Sequence, residues 1–205
     1  MTRIYSMLFL LMPLGLLAQG STQLDIWPEF KKPPYAEKKV KGHFFKLVLS
    51  ELPDTQVILA YYNAGKPYAR DTGQTDNKGV VEFVGDETWD GGVYIVAVNN
   101  EIIYEFVYSG TEEGFTISTT GKENVVENMK IKGSKENQLF LDYQLMRLDV
   151  GKKMERQTKR YKEHKEADNK DSMDYISDKV SEMQTEFQEA QIKITEEHPT
   201  SMTAM

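Results

Sequence analysis

Two carboxylates stand close together in ARDTGQTDNKGVVEF, residues 69–83, and three chemistries could use them. Asp71-Thr72-Gly73 is the triplet that carries the catalytic carboxylate of aspartic proteases. That chemistry needs two carboxylates sharing one proton, hence two such loops or one in each half of a symmetric dimer. The chain has one, preceded by Arg70 and followed by Gln74, and an adjacent guanidinium favours a permanently ionised acid. Asp71, Gln74 and Asp76 do not keep the every-second-residue oxygen spacing of a calcium-binding helix-loop-helix; a looser calcium site between loops stays open. The third reading is a turn. The Asp76 side chain can bond the backbone two residues on, Asn77 and Lys78 suit the turn centre, and Gly79 suits a positive-φ exit. TDNKG lies between two strand-like runs, so the expectation is a hairpin turn rather than an active site.

The other chemistry-bearing residues are sparse. The chain contains no cysteine, which excludes thiolate catalysis, iron–sulfur clusters and cysteine-based zinc sites. His43, His164 and His198 are not paired at ligand spacing. Asp71, Asp76, Asp86 and Asp90 could form an acid/base pair, but they fall in turns, where aspartate bonds the backbone. No catalytic residue, metal or cofactor is expected. Tyr61, Tyr62, Tyr68, Trp89, Tyr94, Tyr104 and Tyr108 are candidates for an exposed aromatic binding platform; the competing reading places strand aromatics in the core or in cross-strand pairs.

The elements that carry these residues follow from the period of the pattern. The 205 residues are 28% charged and 40% hydrophobic, the composition of a globular protein, and the net charge of −7 argues against a nucleic-acid surface. Arg3, the apolar run IYSMLFLLMPLGLLA and Ala18-Gln19-Gly20 read as a signal peptide over residues 1–20. Export to the periplasm or cell envelope is expected, with no integral membrane segment in the mature chain. Residues 21–42, with Trp27-Pro28, Pro33-Pro34 and several lysines, read as a linker.

From His43 the period becomes two. Phe45, Leu47 and Leu49 alternate with Phe44, Lys46 and Val48. TQVILAYY, KPYARDT, GVVEFV, GGVYIVAV, EIIYEFVYS, GFTISTT and VENMKIKG continue the series, and Asn99-Asn100 is a two-residue hairpin signal. This predicts an antiparallel β-sandwich of about seven or eight strands over 43–132. VYIVAV is apolar on both faces, so its outer face needs a cover. At Gly133-Ser134 the period becomes helical, with Ser134 as N-cap. Phe140, Tyr143, Met146, Val150 and Met154 form one stripe. Met173, Ile176, Val180, Met183, Phe187, Ala190 and Ile194 form another, beyond a turn at Ala167-Asp168-Asn169. Residues 133–205 therefore read as an antiparallel helical hairpin and the start of a further element, and the fold class as α+β. Pro199 closes the second helix, and Thr200 or Ser201 could cap another, so the chain reads as a fragment of a longer protein.

Several of these segments resemble the N-terminal region of exported thioredoxin-like proteins of Gram-negative anaerobes. The likeness rests on Asp54-Thr55 opening a strand, on YARDTGQTDNKG and on Gly91-Gly92-Val93-Tyr94. It also rests on GSKEN with Phe140 and Tyr143, and it covers about residues 43–200. In that family a sandwich-like domain and a helical segment precede a thioredoxin-fold domain with a Cys-x-x-Cys pair. The resemblance implies a non-catalytic accessory role beside such a domain in cis, with homodimerisation left open. The redox activity itself transfers to no residue here. The alternative is an exported glycan- or peptide-binding sandwich module.

Overall fold

The computed structural model describes residues 42–63, 65–201 and 203. The signal peptide, and the linker as far as residue 41, lie outside them. Eight strands precede two helices. They are β1 His43–Leu49, β2 Gln56–Asn63, β3 Lys66–Gln74, β4 Val80–Gly85, β5 Gly92–Val98, β6 Glu101–Tyr108, β7 Phe115–Thr119 and β8 Lys130–Lys132, then α1 Lys135–Glu166 and α2 Lys170–Glu197. The fold is a β-sandwich of two four-stranded sheets followed by a helical hairpin, α+β as the pattern predicts. The described residues divide into two compact units, one of residues 147–187 and one holding the sandwich with residues 135–146 and 188 onward.

One sheet has the order β4-β1-β7-β8 and the other β3-β2-β5-β6. All neighbours are antiparallel except β1 and β7, which run parallel with Phe45 opposite Phe115 and Leu47 opposite Ile117. The parallel pair arises because β1 leads into the other sheet and β7 returns beside it much later. A period-two pattern fixes which face of a strand is buried but not the direction of its neighbour.

Strand β1 shows the alternation cleanly: Phe45, Leu47 and Leu49 are buried and Phe44, Lys46 and Val48 half-buried. The inner faces of both sheets close over an aromatic core in which Phe45 lies 5.0 Å from Phe115 and 5.7 Å from Phe106 between ring centroids. Each such side chain removed from water contributes about 1.5–3 kcal/mol. On the opposite face of the second sheet, Ala60, Ile95 and Ala97 are also fully buried, with Ile58 and Ile102 packed against them. This is the two-sided burial that VYIVAV requires.

Asn99 and Asn100 take φ of 52° and 65° and make the two-residue β5–β6 hairpin. Strand β8 is only three residues long, shorter than VENMKIKG suggests, because residues 125–128 are spent in a turn. Ser134 caps α1 as expected, its Oγ accepting the Asn137 amide at 3.0 Å. Among the described seam residues of the hairpin, Ile176 is fully buried and the rest are half-buried.

Candidate functional site

Asp71 and Asp76 occupy different structures. Asp71 lies within β3, its carboxylate accepting the amide of Thr72 at 2.7 Å. Asp76 follows the strand, and its Oδ1 accepts the amides of Lys78 at 2.8 Å and Val80 at 2.9 Å. Those two hydrogen bonds, Val80 first, hold the Asp76 carboxyl below its ordinary value of 3.8. Gly79 sits at φ +75°, and a Cβ there would lie 2.0 Å from the Leu49 carbonyl oxygen. The turn chemistry is as read, but the turn is not a hairpin. It carries the chain from β3 in one sheet to β4 in the other. Sheet membership is decided by long-range packing, which a local turn signature does not encode. Below the turn, the buried Thr75 hydroxyl accepts the Thr55 amide at 2.8 Å and donates to the Leu52 carbonyl at 2.7 Å. These bonds tie β3 to the loop after β1. No group of three or more acidic, histidine or cysteine side chains that could hold a metal occurs among the described residues.

The aromatic platform is not on the surface. Tyr61, Trp89, Tyr94, Tyr104 and Tyr108 are buried, Tyr68 is half-buried, and Tyr62 alone is exposed, at 43%. Alternation decides this: Tyr61, Tyr94, Tyr104 and Tyr108 fall on the inner faces of β2, β5 and β6, where aromatic area is worth most in the core. Tyr62 points the other way and donates to Glu105 at 2.8 Å, so the phenol is held up by half-burial and by the carboxylate beside it. Tyr94 donates to the Asp90 carbonyl at 2.8 Å. The hydroxyls of Tyr104 and Tyr108 are buried without a hydrogen-bond partner, and burial pushes both phenols upward.

Polar and aromatic side chains also meet around Trp89, at 3% exposure in the loop between β4 and β5. The His43 ring packs on it with centroids 4.3 Å apart, and Tyr94 stacks at 5.4 Å. The Arg70 guanidinium lies 5.3 Å from the indole centroid and pairs with Glu87 at 3.3 Å. Arg70 is the extra residue of a β-bulge, because Leu59 opposes Asp71 while Ala60 opposes Ala69. The bulge re-aims its side chain from the sheet toward the loop. His43 Nδ1 lies 2.8 Å from the Glu87 carbonyl oxygen; a carbonyl only accepts, so Nδ1 carries the hydrogen. Nε2 is buried without a partner, and the ring lies so close over Gly85 that a Cβ there would come within 2.6 Å of it. In the sequence Arg70 stands out only as a neighbour of Asp71, and His43 only as a histidine without a partner at ligand spacing. Trp89, the ring that both of them touch, lies 46 residues from His43 and 19 from Arg70 along the chain.

This arrangement contains no serine, threonine or carboxylate side chain hydrogen-bonded to His43, so it has no nucleophile–base pair. What it does is pin the β4–β5 loop to the start of β1 and to the edge strand β3. A second pin holds the opposite edge. Asn137, in the first turn of α1, accepts the Val107 amide at 2.9 Å and donates to the Val107 carbonyl at 2.8 Å. Its amide thus pairs the Val107 backbone groups on the outer side of β6, the edge of its sheet.

No protein-family model and no curated protein matches the chain. Among solved structures it is similar to sea bream transthyretin in complex with thyroxine, with a TM-score of 0.30 and 16% sequence identity, covering 45% of this chain and 96% of that one.

Proposed function

We propose that this chain is the non-catalytic accessory region of an exported thioredoxin-like thiol-disulfide oxidoreductase of the cell envelope. The redox domain, with its Cys-x-x-Cys pair, acts in cis. The observation that carries the reading is that the segments resembling that family are joints of the fold. Asp54-Thr55 and Thr75 lock the loop after β1 onto β3, the Asp76 turn changes sheets, Gly92-Val93-Tyr94 opens β5, and GSKEN caps α1 and clamps β6. Residues used this way maintain a scaffold. Without cysteine the chain itself lacks the thiolate that disulfide exchange requires. The binding-module alternative loses its main support, because five of the seven aromatics that would form its platform are buried in the core. No helix of the described residues is long and apolar enough to cross a membrane, and residence in the envelope rests on the expected signal peptide.

The test is immunocapture from native envelope extracts with an antibody against residues 43–132, followed by peptide mass spectrometry. The expected result is peptides of a thioredoxin-fold domain with Cys-x-x-Cys in the captured polypeptide. A captured polypeptide carrying no redox domain and bound to none overturns the proposal.

A further inference from the structure

The second sheet carries an apolar face turned away from the core. Along β2 and β5, Leu59, Tyr61, Tyr94, Val96 and Val98 enter the core, so Ala60, Ile95 and Ala97 stand on the other side. The register sets Ala60 opposite Ile95, and Ala97 between Ile58 of β2 and Ile102 of β6. These side chains form one continuous patch. Glu105, opposite Ile95, borders it and holds the Tyr62 hydroxyl.

Ala60, Ile95 and Ala97 are each 0% exposed in the single chain. A sheet does not bury its own face. Side chains stand out from it, and their tips stay open to water unless another element lies over them. Among the described residues, the partly buried apolar side chains packed on these three are Ile58 and Ile102, which belong to the same face.

We propose that residues 21–41 of the same chain seat on this face and cover it. Their point of entry is suitable. Gly42 lies against the backbone of Gly85 and Asp86, and His43 meets Trp89, on which Arg70 of β3 also rests. The chain thus enters β1 beside the edge strand of the second sheet. Across a sandwich about 10 Å thick and over two or three strands about 4.8 Å apart, the patch lies roughly 20–25 Å away. Residues 21–41 span up to about 70 Å, more than enough. Their chemistry matches as well. Leu24, Ile26, Trp27 and Phe30 supply large apolar side chains, and alanines set between isoleucines leave room for them. The segment holds five lysines against three acidic residues in a chain of net charge −7, and Glu105 at the border is a carboxylate for them to meet. The stretch that reads as a linker is then part of the sandwich, and the face is closed to outside ligands. The inference is independent of any redox role.

The chain lacks cysteine, so a single engineered thiol reports on one position. Ala60→Cys probes the covered patch. Tyr62→Cys, two residues along the same face and 43% exposed before substitution, is the control. Each is made in the whole chain, with and without Trp27→Ser and Phe30→Ser, and treated with a maleimide under native conditions. Circular dichroism monitors the fold. With the native segment, the Ala60→Cys thiol is expected to react about a hundredfold more slowly than the Tyr62→Cys thiol, because it is reached only by local opening. With the two serines in place, most of that protection is lost. Separately, the whole chain carrying Phe30→p-benzoylphenylalanine is irradiated and digested, and the expected crosslinks join residue 30 to peptides of β2 or β5 in the same copy. Equal reactivity of the two thiols beside the native segment overturns the proposal. So does protection that survives both serines in a folded chain. Crosslinks to the helices or to a second copy name another cover and also overturn it. Should the serine variant unfold, the crosslink decides alone.

Discussion

Gly79→Ala tests the point where the turn, the sheet change and the core meet. The residue sits at φ +75°, so any side chain there pays the left-handed penalty of roughly 1–2 kcal/mol. The structure adds a second cost. The new Cβ would lie 2.0 Å from the Leu49 carbonyl oxygen and 2.7 Å from its carbon, both backbone atoms, so one strand must move. Moving it strains the Leu49 amide's bond to the Gly79 carbonyl, 2.8 Å long, and the Gly79 amide's bond to the Asp76 carbonyl, 2.9 Å long. Weakening one or two such bonds costs about 1 kcal/mol each, giving a total of roughly 2–4 kcal/mol. Gly65→Ala is the control. Its φ is +77°, but nothing lies within 4 Å of the added Cβ, so it pays the left-handed penalty alone. Urea unfolding followed by Trp89 fluorescence, in a Trp27→Phe background that leaves a single tryptophan, reports the sandwich directly. The expected result is an unfolding free energy lower for Gly79→Ala than for Gly65→Ala by about 1–2 kcal/mol, the share of the strained bonds. Equal losses in the two variants would refute the close approach of the turn to β1.

Asn137→Ala strands the buried amide and carbonyl of Val107 and should cost about 2–4 kcal/mol, with hydrogen exchange at the Val107 amide rising in step; exchange unchanged from wild type would count against the clamp. Tyr104→Phe removes a buried hydroxyl that has no partner and should leave the melting temperature unchanged or raise it; a loss above about 1 kcal/mol would mean that the hydroxyl is satisfied in solution. The Asp76 carboxyl lies below 3.8 in the folded chain, so its stabilisation is fully present above that value and is lost as pH falls through the folded one. Asp76→Asn should therefore flatten the stability curve only on the acid side, in denaturation series run from neutral pH downward. An equal change at neutral and acid pH would point to a cause other than titration.

Much of this protein is written locally. Alternation in β1, the Asn99-Asn100 turn, the Ser134 cap and the three-and-four spacing of the hairpin seam each depend on residues within one or two turns of one another. Such signals survive in sequence because backbone geometry imposes them directly. The chemistry around Asp76 was legible for the same reason: the side chain bonds amides two and four residues on.

What the sequence could not determine depends on who lies across the gap. The parallel β1–β7 pairing, the passage of the Asp76 turn from sheet to sheet, and the bulge that sends Arg70 toward Trp89 are set by the closing of two sheets over one core. So is the fate of the tyrosines. Tyr61 and Tyr62 are adjacent and chemically identical, yet one is buried in the core and the other meets water and Glu105. A strand turns successive side chains to opposite faces, and only the tertiary structure decides which face looks inward.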